Sequence, residues 1–332
     1  MDDLAAWFRR ATGWGLSYGG PDGAEGSEEI PLDLPAGWDE RLVLEPPAAG
    51  LAVAPRHARR LARTIAVLLQ RFVQAEALLR EREAQEVADH ATLQADIAQA
   101  AKLQAGFAPQ VSSTHPRLDL AAWSQPCRAV GGDFHDLISL ADENLGIAIG
   151  DACGKGITAA LIMALVRGGL HAHVENLFRV SDIMARLNAT LGASTPGDHF
   201  MSLFYGVLDL RHRTISYTNA GHNPPLLWRG GEFRELAEGG MLLGVAPDIT
   251  YDQLSLPLQE GDLVVLYTDG VTETMNAAGE CFGTDRLRAA IAAARDLPAA
   301  GVLATIRDHL TAFAPLETQA DDLTLVAFRA PS

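Results

Sequence analysis

The pattern of apolar and polar positions changes twice along this chain of 332 residues. Residues 1–55 are broken by Gly-rich and Pro-rich stretches, residues 56–108 follow the period of a helix, and strand-like runs with turns fill residues 109–332. We therefore predict three parts: a small N-terminal region, a helical linker, and a folded domain that can bury a sizeable core.

The N-terminal region shows only two short candidate strands, at residues 41–44 and 51–54. It is short for a sensory module of the GAF or PAS type, and a small docking subdomain or cap is the alternative. Its fold and any input signal stay open.

The linker carries an apolar repeat with alternating steps of four and three residues. The repeat comprises Leu61, Ile65, Leu68, Phe72, Ala75 and Leu79. Such a heptad seam is typical of a two-stranded coiled coil, so it predicts a homodimer. The seam then meets Arg82, Glu86 and Asp89, whose polar side chains weaken the pairing. A helix packed against its own domain is the alternative.

Residues 109–332 alternate strand-like runs with helical patterns. Strands are predicted at residues 118–123, 145–150, 200–209, 214–219, 226–229, 263–268 and 323–328. Helices are predicted at residues 157–174, 181–191, 284–295 and 299–313. Strands joined mostly by hairpins, with paired helices inserted, predict an α/β (α+β) fold of two packed antiparallel sheets flanked by helices.

Acidic side chains stand beside several of these strands. They form four clusters, at residues 131–136, 150–156, 267–270 and 321–324. Because unpaired carboxylates do not converge without a cation, the clusters indicate a metal site. Oxygen ligands without a matching set of His or Cys point to Mg²⁺ or Mn²⁺ rather than to zinc.

Five segments of this domain resemble, in the same order, the SpoIIE/RsbU-like branch of the PPM metal-dependent Ser/Thr protein phosphatases. The segments are residues 130–136, 150–161, 218–225, 266–273 and 321–326. A lone Asp-Gly pair is usually a turn, but five ordered segments are far more specific. The resemblance covers residues 109–330 and implies a PPM β-sandwich.

The resemblance implies a centre of two Mn²⁺ or Mg²⁺ ions that Asp151 bridges. Asp269, Asp321 and the backbone carbonyl of Ala152 would complete the shell of the first ion. Asp133 would serve the second ion, directly or through water. Two such ions about 4 Å apart can convert a bridging water to hydroxide and hold the phosphate oxygens. No protein nucleophile is needed.

The roles of four further residues stay open at this point. Arg128 has the offset from Asp133 at which many PPM enzymes place a phosphate-binding arginine, and a surface arginine is the alternative. Lys155 either attracts the phosphoprotein or is simply solvated. Asp136 is a weaker candidate for the outer shell of the second ion. Asp322 is expected to support a turn, because adjacent residues of a strand point in different directions.

Two histidines lie within these segments. His135 stands where the family commonly has tyrosine, and we interpret it as a satisfied or exposed side chain rather than as a proton donor. His222 is expected to be structural and to hold a hairpin corner before the two prolines that follow.

Composition and charge limit the partners. The formal net charge of -16 disfavours a general affinity for nucleic acid or anionic membranes. The 3 Cys form no C-x-x-C pair, so they predict neither a disulfide framework nor a thiolate metal site. The N-terminus lacks a basic leader, and no stretch approaches the roughly 18 apolar residues of a membrane span. We expect a cytoplasmic protein.

The sequence thus predicts a phosphoprotein phosphatase that hydrolyses phosphoserine or phosphothreonine esters. By analogy with this branch, the substrate would be a STAS-domain anti-anti-sigma-type regulator in bacterial partner switching. A catalytically weak pseudophosphatase scaffold is one alternative, disfavoured because all four acidic clusters are intact. A hydrolase of small phosphorylated metabolites is another, disfavoured because no aromatic base-stacking box or nucleotide loop accompanies the site.

Overall fold

The computed structural model describes residues 2–18, 27–32, 41–45, 54–107, 109, 118–141, 143–175, 179–195, 197–316 and 319–330. The chain forms two compact units, residues 1–95 and 96–332. Each unit has its own apolar core.

A three-stranded antiparallel sheet with the order β1-β3-β2 organises the first unit. Its elements are α1 (Asp2–Thr12), β1 (Gly15–Tyr18), β2 (Glu28–Pro31), β3 (Arg41–Glu45) and the first part of α2 (Pro55–Ala105). The strand predicted at residues 41–44 is confirmed as β3. The sequence pattern did not predict α1, β1 or β2. Residues 51–53 of the other candidate strand lie outside the described residues.

Helix α2 has 51 residues and divides its apolar positions between two faces. Ile65 and Val73 are buried in the core of the first unit. Leu68, Phe72 and Leu79 are 61%, 67% and 60% exposed. The predicted heptad seam is therefore split, because Leu61 and Ile65 pack within the unit while its lower positions lie on the surface. Pairing of two chains through that surface stays a prediction.

The second unit contains every strand and helix that the sequence predicts, together with shorter elements that it does not predict. In chain order the elements are β4 (Leu120–Gln125), β5 (Phe134–Ser139), β6 (Asn144–Ala152), α3 (Ile157–Val174), α4 (Val180–Ser194), β7 (Met201–Asp209), β8 (Thr214–Ala220), β9 (Leu226–Arg229), β10 (Glu232–Glu235), β11 (Gly239–Gly240), β12 (Leu254–Pro257), β13 (Leu263–Tyr267), α5 (Asp269–Glu273), α6 (Gly283–Ala293), α7 (Ala299–Phe313) and β14 (Leu323–Arg329). The bounds of α3 and α7 match the prediction. The short strands β5, β10, β11 and β12 were not predicted.

Two sheets pack face to face in this unit. One has the order β10-β9-β13-β14-β4, and the other has the order β11-β8-β7-β6-β5 with β12 also paired to β8. Apolar side chains from both sheets, including Ile149, Phe204, Val264 and Val326, form the core between them. Helices α3 and α4 cover the second sheet, and α6 and α7 cover the first. This architecture confirms the predicted sandwich of antiparallel sheets flanked by helices.

Among the described residues, α3 is the helix with the length and apolar composition of a membrane span. Its side chains Ala159, Met163 and Leu170 are buried against the six-stranded sheet. A core helix passes the same test of length and composition, so this helix is weak evidence for a span.

Candidate active site

Carboxylates reach one end of the sandwich from both sheets. Asp151 is the penultimate residue of β6, and it shares a face of that strand with Ile147 and Ile149, which point into the core between the sheets. Asp269 is the first residue of α5 and follows β13 of the other sheet. The alternation of strand residues therefore directs the Asp151 side chain into the space between the two sheets, at the end of the sandwich where β13 also ends.

Two further carboxylates stand at the starts of strands. Asp133 immediately precedes β5, and the Thr268 hydroxyl donates a hydrogen bond to its Oδ2 at 2.7 Å. Asp321 lies two residues before β14, and the Nζ of Lys155 is 2.8 Å from its Oδ2. The structure thus places all four predicted acidic ligands around the same strand ends.

The electrostatics show how close these groups are. Burial, followed by the charges of Asp269, Asp321 and Asp322, raises the pKa of Asp151 to about 7. Burial and the charge of Asp151 raise the pKa of Asp133 well above its ordinary value. Burial and the charge of Asp321 also raise the pKa of Asp269. The shifts of Asp133 and Asp151 have a common origin, because each carboxylate is buried where other negative charges act on it.

The arrangement fits a hard divalent cation in the chemistry of its donors. A Cβ at Gly132 would lie 2.8 Å from the Ala152 carbonyl oxygen and 3.4 Å from Asp151 Oδ1, so both oxygens face the gap that the glycine leaves. An all-oxygen set of this kind suits Mg²⁺ or Mn²⁺. In the described part of the chain, no three His, Cys, Asp or Glu side chains already form a complete ligand set. Binding an ion would therefore require side chains such as Asp321 to rotate.

Asp322 braces the loop that carries Asp133. It is buried, and its Oδ1 accepts a hydrogen bond from the Cys127 backbone N–H at 2.8 Å. Its Oδ2 accepts one from the Gly132 N–H at 2.8 Å. Gly131 permits this approach, because a Cβ there would overlap the Asp322 carboxylate. These contacts give Asp322 the supporting position that strand alternation predicts.

Asp136 does not join the other carboxylates. Its buried side chain faces α3, where Arg167 Nε and His171 Nε2 lie 2.9 Å and 2.6 Å from its Oδ2. The guanidinium of Arg167 also stacks over the ring of Phe107, 5.1 Å from its centroid. The structure thus gives Asp136 a cationic partner, Arg167, and a histidine neighbour on a helix in place of the outer-shell position considered for it.

The two basic residues near the site differ in their contacts. Arg128 is exposed, and its Nη1 lies 3.6 Å from the position that a Cβ of Gly156 would occupy. No carboxylate in the described part of the chain pairs with Arg128. Lys155 is engaged, because its Nζ contacts Asp321 and also donates to the Ala320 carbonyl. Arg128 is therefore the cation available to an incoming group.

Sequence reasoning missed the groups that hold Asp133 in place. The hydroxyl of Thr268 donates a hydrogen bond to its carboxylate. Gln104, near the end of α2, donates from Nε2 to the Gly131 carbonyl at 2.7 Å and accepts from the Gly131 N–H at 3.0 Å. The position of Thr268 directly before Asp269 was the one available signal, whereas nothing in the sequence marked Gln104.

A cavity of about 250 Å³ lies beside this glutamine. Gln104, Phe107, Asp133, His135 and Arg167 are among the residues that line it. Burial lowers the pKa of His135 to about 4, against the opposing charge of nearby Asp136, so the imidazole is neutral at pH 7. The structure thus shows His135 as a buried neutral ring, and its interpretation as a side chain without a proton-donor role stays a prediction.

Residues 141–331 match the family model of Stage II sporulation protein E (SpoIIE). The matched range covers more than half of the chain and includes Asp151, Asp269 and Asp321. Arg128 and Asp133 precede it.

Two curated relatives extend this similarity. Protein IcfG of Synechocystis sp. is 28% identical over 291 residues, which cover 79% of this chain and 46% of that protein. Phosphoserine phosphatase RsbU of Bacillus subtilis is 31% identical over 164 residues, which cover 49% of this chain and 49% of that protein. The chain spans about half the length of these curated relatives.

A solved structure shares the fold of the second unit. The SiaA-PP2C domain of Pseudomonas aeruginosa superposes with a TM-score of 0.64 at 21% identity, over 73% of this chain and 98% of that domain. The resemblance predicted from the five sequence segments is thereby confirmed. The chain belongs to the SpoIIE family, and its second unit has the fold of PP2C-type domains.

Proposed function

We propose that this chain is a Mn²⁺- or Mg²⁺-dependent protein Ser/Thr phosphatase. The observation that carries the proposal is the convergence of acidic side chains from both sheets, where burial and mutual repulsion raise the pKa values of Asp133, Asp151 and Asp269. A divalent cation would relieve that repulsion. The similarity to RsbU, a protein named as a phosphoserine phosphatase, supports the same activity here.

Asp151 is the proposed bridge between two ions, because its charge acts on Asp133 and the charge of Asp269 acts on it. Asp133 would hold one ion. Asp269, Asp321 and the Ala152 carbonyl would hold the other. Bound there, the ions would supply an activated water and positive charge for the phosphate oxygens. The protein's own contribution is to fix the carboxylates on strand ends that the sandwich core holds rigidly.

Arg128 is the proposed phosphate-binding residue. Its guanidinium is exposed beside the turn between β6 and α3, and it can offer two parallel N–H groups to a phosphate. Lys155 contacts Asp321, so rotation of Asp321 toward an ion would free the ammonium for the same phosphate. These two side chains would bind the charge that the carboxylates repel.

The proposed substrate is a phosphoserine or phosphothreonine in a regulatory protein of a partner-switching pathway, with a STAS-domain regulator as the specific expectation. This step rests on analogy with RsbU. We also propose that two chains pair in the cytoplasm through the exposed face of α2, where Leu68, Phe72 and Leu79 lie.

Phosphate release from a phosphoserine peptide tests the proposal. The protein should be active with Mn²⁺ or Mg²⁺ and inactive in EDTA. Asp151→Asn and Asp269→Asn should each abolish turnover, because each removes a negative ligand from the site. Asp209→Asn, at the end of β7 opposite to the site, is the matched control. Near-normal turnover by either folded site variant, or turnover confined to a nucleotide panel, would overturn the proposal.

A further inference from the structure

The imidazole of His222 is buried where the chain crosses from one sheet to the other. His222 lies between β8 and β9 and is only 4% exposed. Burial lowers the pKa of His222 to about 4, so the ring is neutral at pH 7. A neutral imidazole has one N–H donor and one acceptor nitrogen, which allows it to connect two polar groups.

One side of the ring contacts the six-stranded sheet. Nδ1 of His222 lies 2.7 Å from Oγ of Ser202 in β7. Ser202 is the cross-strand partner of Asp151, and its Oγ is 3.5 Å from the Asp151 carbonyl oxygen. Paired residues of antiparallel strands project to the same face, so Ser202 stands beside the Asp151 side chain.

The five-stranded sheet is the next element after this corner, because β9 follows His222 and pairs with β13, which Tyr267 ends. Against the effect of burial, the backbone of Tyr267 raises the pKa of His222, which places it near the ring, while the buried Nε2 makes no hydrogen bond of standard geometry. Tyr267 ends β13, two residues before Asp269. The ring therefore connects the strand beside Asp151 to the strand that leads into Asp269.

The hairpin corner itself is held by another residue. Oδ1 of Asn219 accepts a hydrogen bond from the His222 N–H at 2.7 Å. Nδ2 of Asn219 donates to the His222 carbonyl at 2.9 Å. These bonds fix the backbone of position 222 whatever its side chain is. The corner role expected for His222 thus leaves the buried imidazole unexplained.

We propose that the imidazole of His222 is a spacer between the two sheets that sets the separation of Asp151 and Asp269, and so sets the affinity of the site for divalent cations. The inference rests on the metal centre of the proposed function. His222 is a positioning residue here, because it acts through Ser202 and Tyr267 and contacts neither an ion nor the substrate. Removing groups that orient metal ligands typically costs about 10- to 100-fold in metal affinity.

Calorimetric titration with Mn²⁺ tests the inference. His222→Ala should raise the Kd for Mn²⁺ by about 10-fold or more. His222→Asn, which can still bond Ser202, should recover part of the loss, and Ser202→Ala should weaken binding in the same direction. Ser216→Ala is the control, since it removes a serine hydroxyl from β8 that bonds Ser255 at 2.7 Å on the exposed side of the same sheet.

Turnover supplies a second readout, because saturating Mn²⁺ should restore much of kcat in the His222 variants. A merely structural histidine would lower the melting temperature and leave the Kd for Mn²⁺ unchanged, and that result would overturn the inference. If His222→Ala does not fold, unchanged affinity in Ser202→Ala overturns it equally. Wild-type protein that binds no Mn²⁺ would overturn it as well. Weakened Mn²⁺ binding in a protein without phosphatase activity would uphold the spacer and reject only the proposed function.

Discussion

Replacing Asp151 with asparagine should stabilise the protein in EDTA while removing its ability to bind divalent cations. The pKa of Asp151 lies at about 7 instead of the ordinary 3.8, first because the group is buried and then because it faces Asp269 and Asp321. At pH 8 the folded protein must hold this carboxyl ionised at a cost. Asparagine keeps nearly the same shape without the charge, so the cost disappears.

The size of the effect follows from the shift. A pKa raised from 3.8 to about 7 corresponds to at most about 4 kcal/mol of folding free energy at pH 8. The repulsion also raises the pKa of Asp133, so the shift is not a property of Asp151 alone, and solvent screens part of the repulsion. We therefore expect Asp151→Asn to gain about 1–3 kcal/mol in EDTA.

The sign of the pH dependence is also fixed. The folded pKa of Asp151 lies above the unfolded value. The protonated carboxyl therefore does not destabilise the fold below about pH 4, and this stability is lost as the pH rises through about 7 and the carboxyl ionises. The advantage of the asparagine variant should therefore grow between pH 4 and pH 8.

Urea unfolding in EDTA and in Mn²⁺ measures both effects. Mn²⁺ should reverse the order of stability, because only the wild-type protein gains binding energy. Asp262→Asn is the control, and it should destabilise the protein. Asp262 is buried and paired with Arg229, whose Nε lies 2.8 Å from its Oδ1, so the substitution leaves the guanidinium without its carboxylate. An Asp151→Asn variant that is less stable than wild type in EDTA at pH 8 would refute the reasoning.

Arg128→Ala should lower kcat/KM for a phosphoserine peptide by about 10- to 100-fold and leave Mn²⁺ affinity unchanged, because it removes one charge-assisted contact to phosphate. Gln104→Ala should speed hydrogen exchange at the Gly131 amide and lower activity, because it removes two hydrogen bonds that hold the loop. Leu68→Glu combined with Phe72→Glu should convert a dimer to a monomer in light scattering, because it places charge in the apolar seam.

Each of these variants has a matched control. Arg211→Ala removes an exposed arginine from the turn after β7, Gln85→Ala removes an exposed α2 glutamine that bonds Asp89, and Leu78→Glu changes an exposed α2 position outside the seam. Unchanged kinetics would reject the role of Arg128. Unchanged exchange at Gly131 would reject the anchoring by α2, and a wild-type monomer at micromolar concentration would reject pairing through the seam.

Elements with long, uninterrupted patterns could be predicted from the sequence. The helices Ile157–Val174 and Ala299–Phe313 have the predicted bounds, because the apolar period of each continues past the glycines that it contains. Strand β5 was missed, because Asp136 interrupts its apolar alternation at a position that the fold buries. Arg167 compensates that charge from α3, and a contact between distant elements leaves no local signal.

The same limit applies to the site. The motifs identified the carboxylates, and strand alternation indicated that Asp321 and Asp322 point to different partners, as they do. The hydroxyl that holds Asp133 comes from Thr268, which is 135 positions away in the chain. Gln104 reaches the loop only because the end of α2 packs beside it. Supporting contacts of this kind follow from the packing of the elements and could not be predicted from local patterns.

Anomalous diffraction at the manganese edge, from crystals grown with Mn²⁺, tests the central claim most directly. The account predicts two peaks within coordination distance of Asp151, one shared with Asp269 and Asp321 and the other toward Asp133. No peak at Asp151, or manganese bound elsewhere by His and Cys side chains, would contradict it.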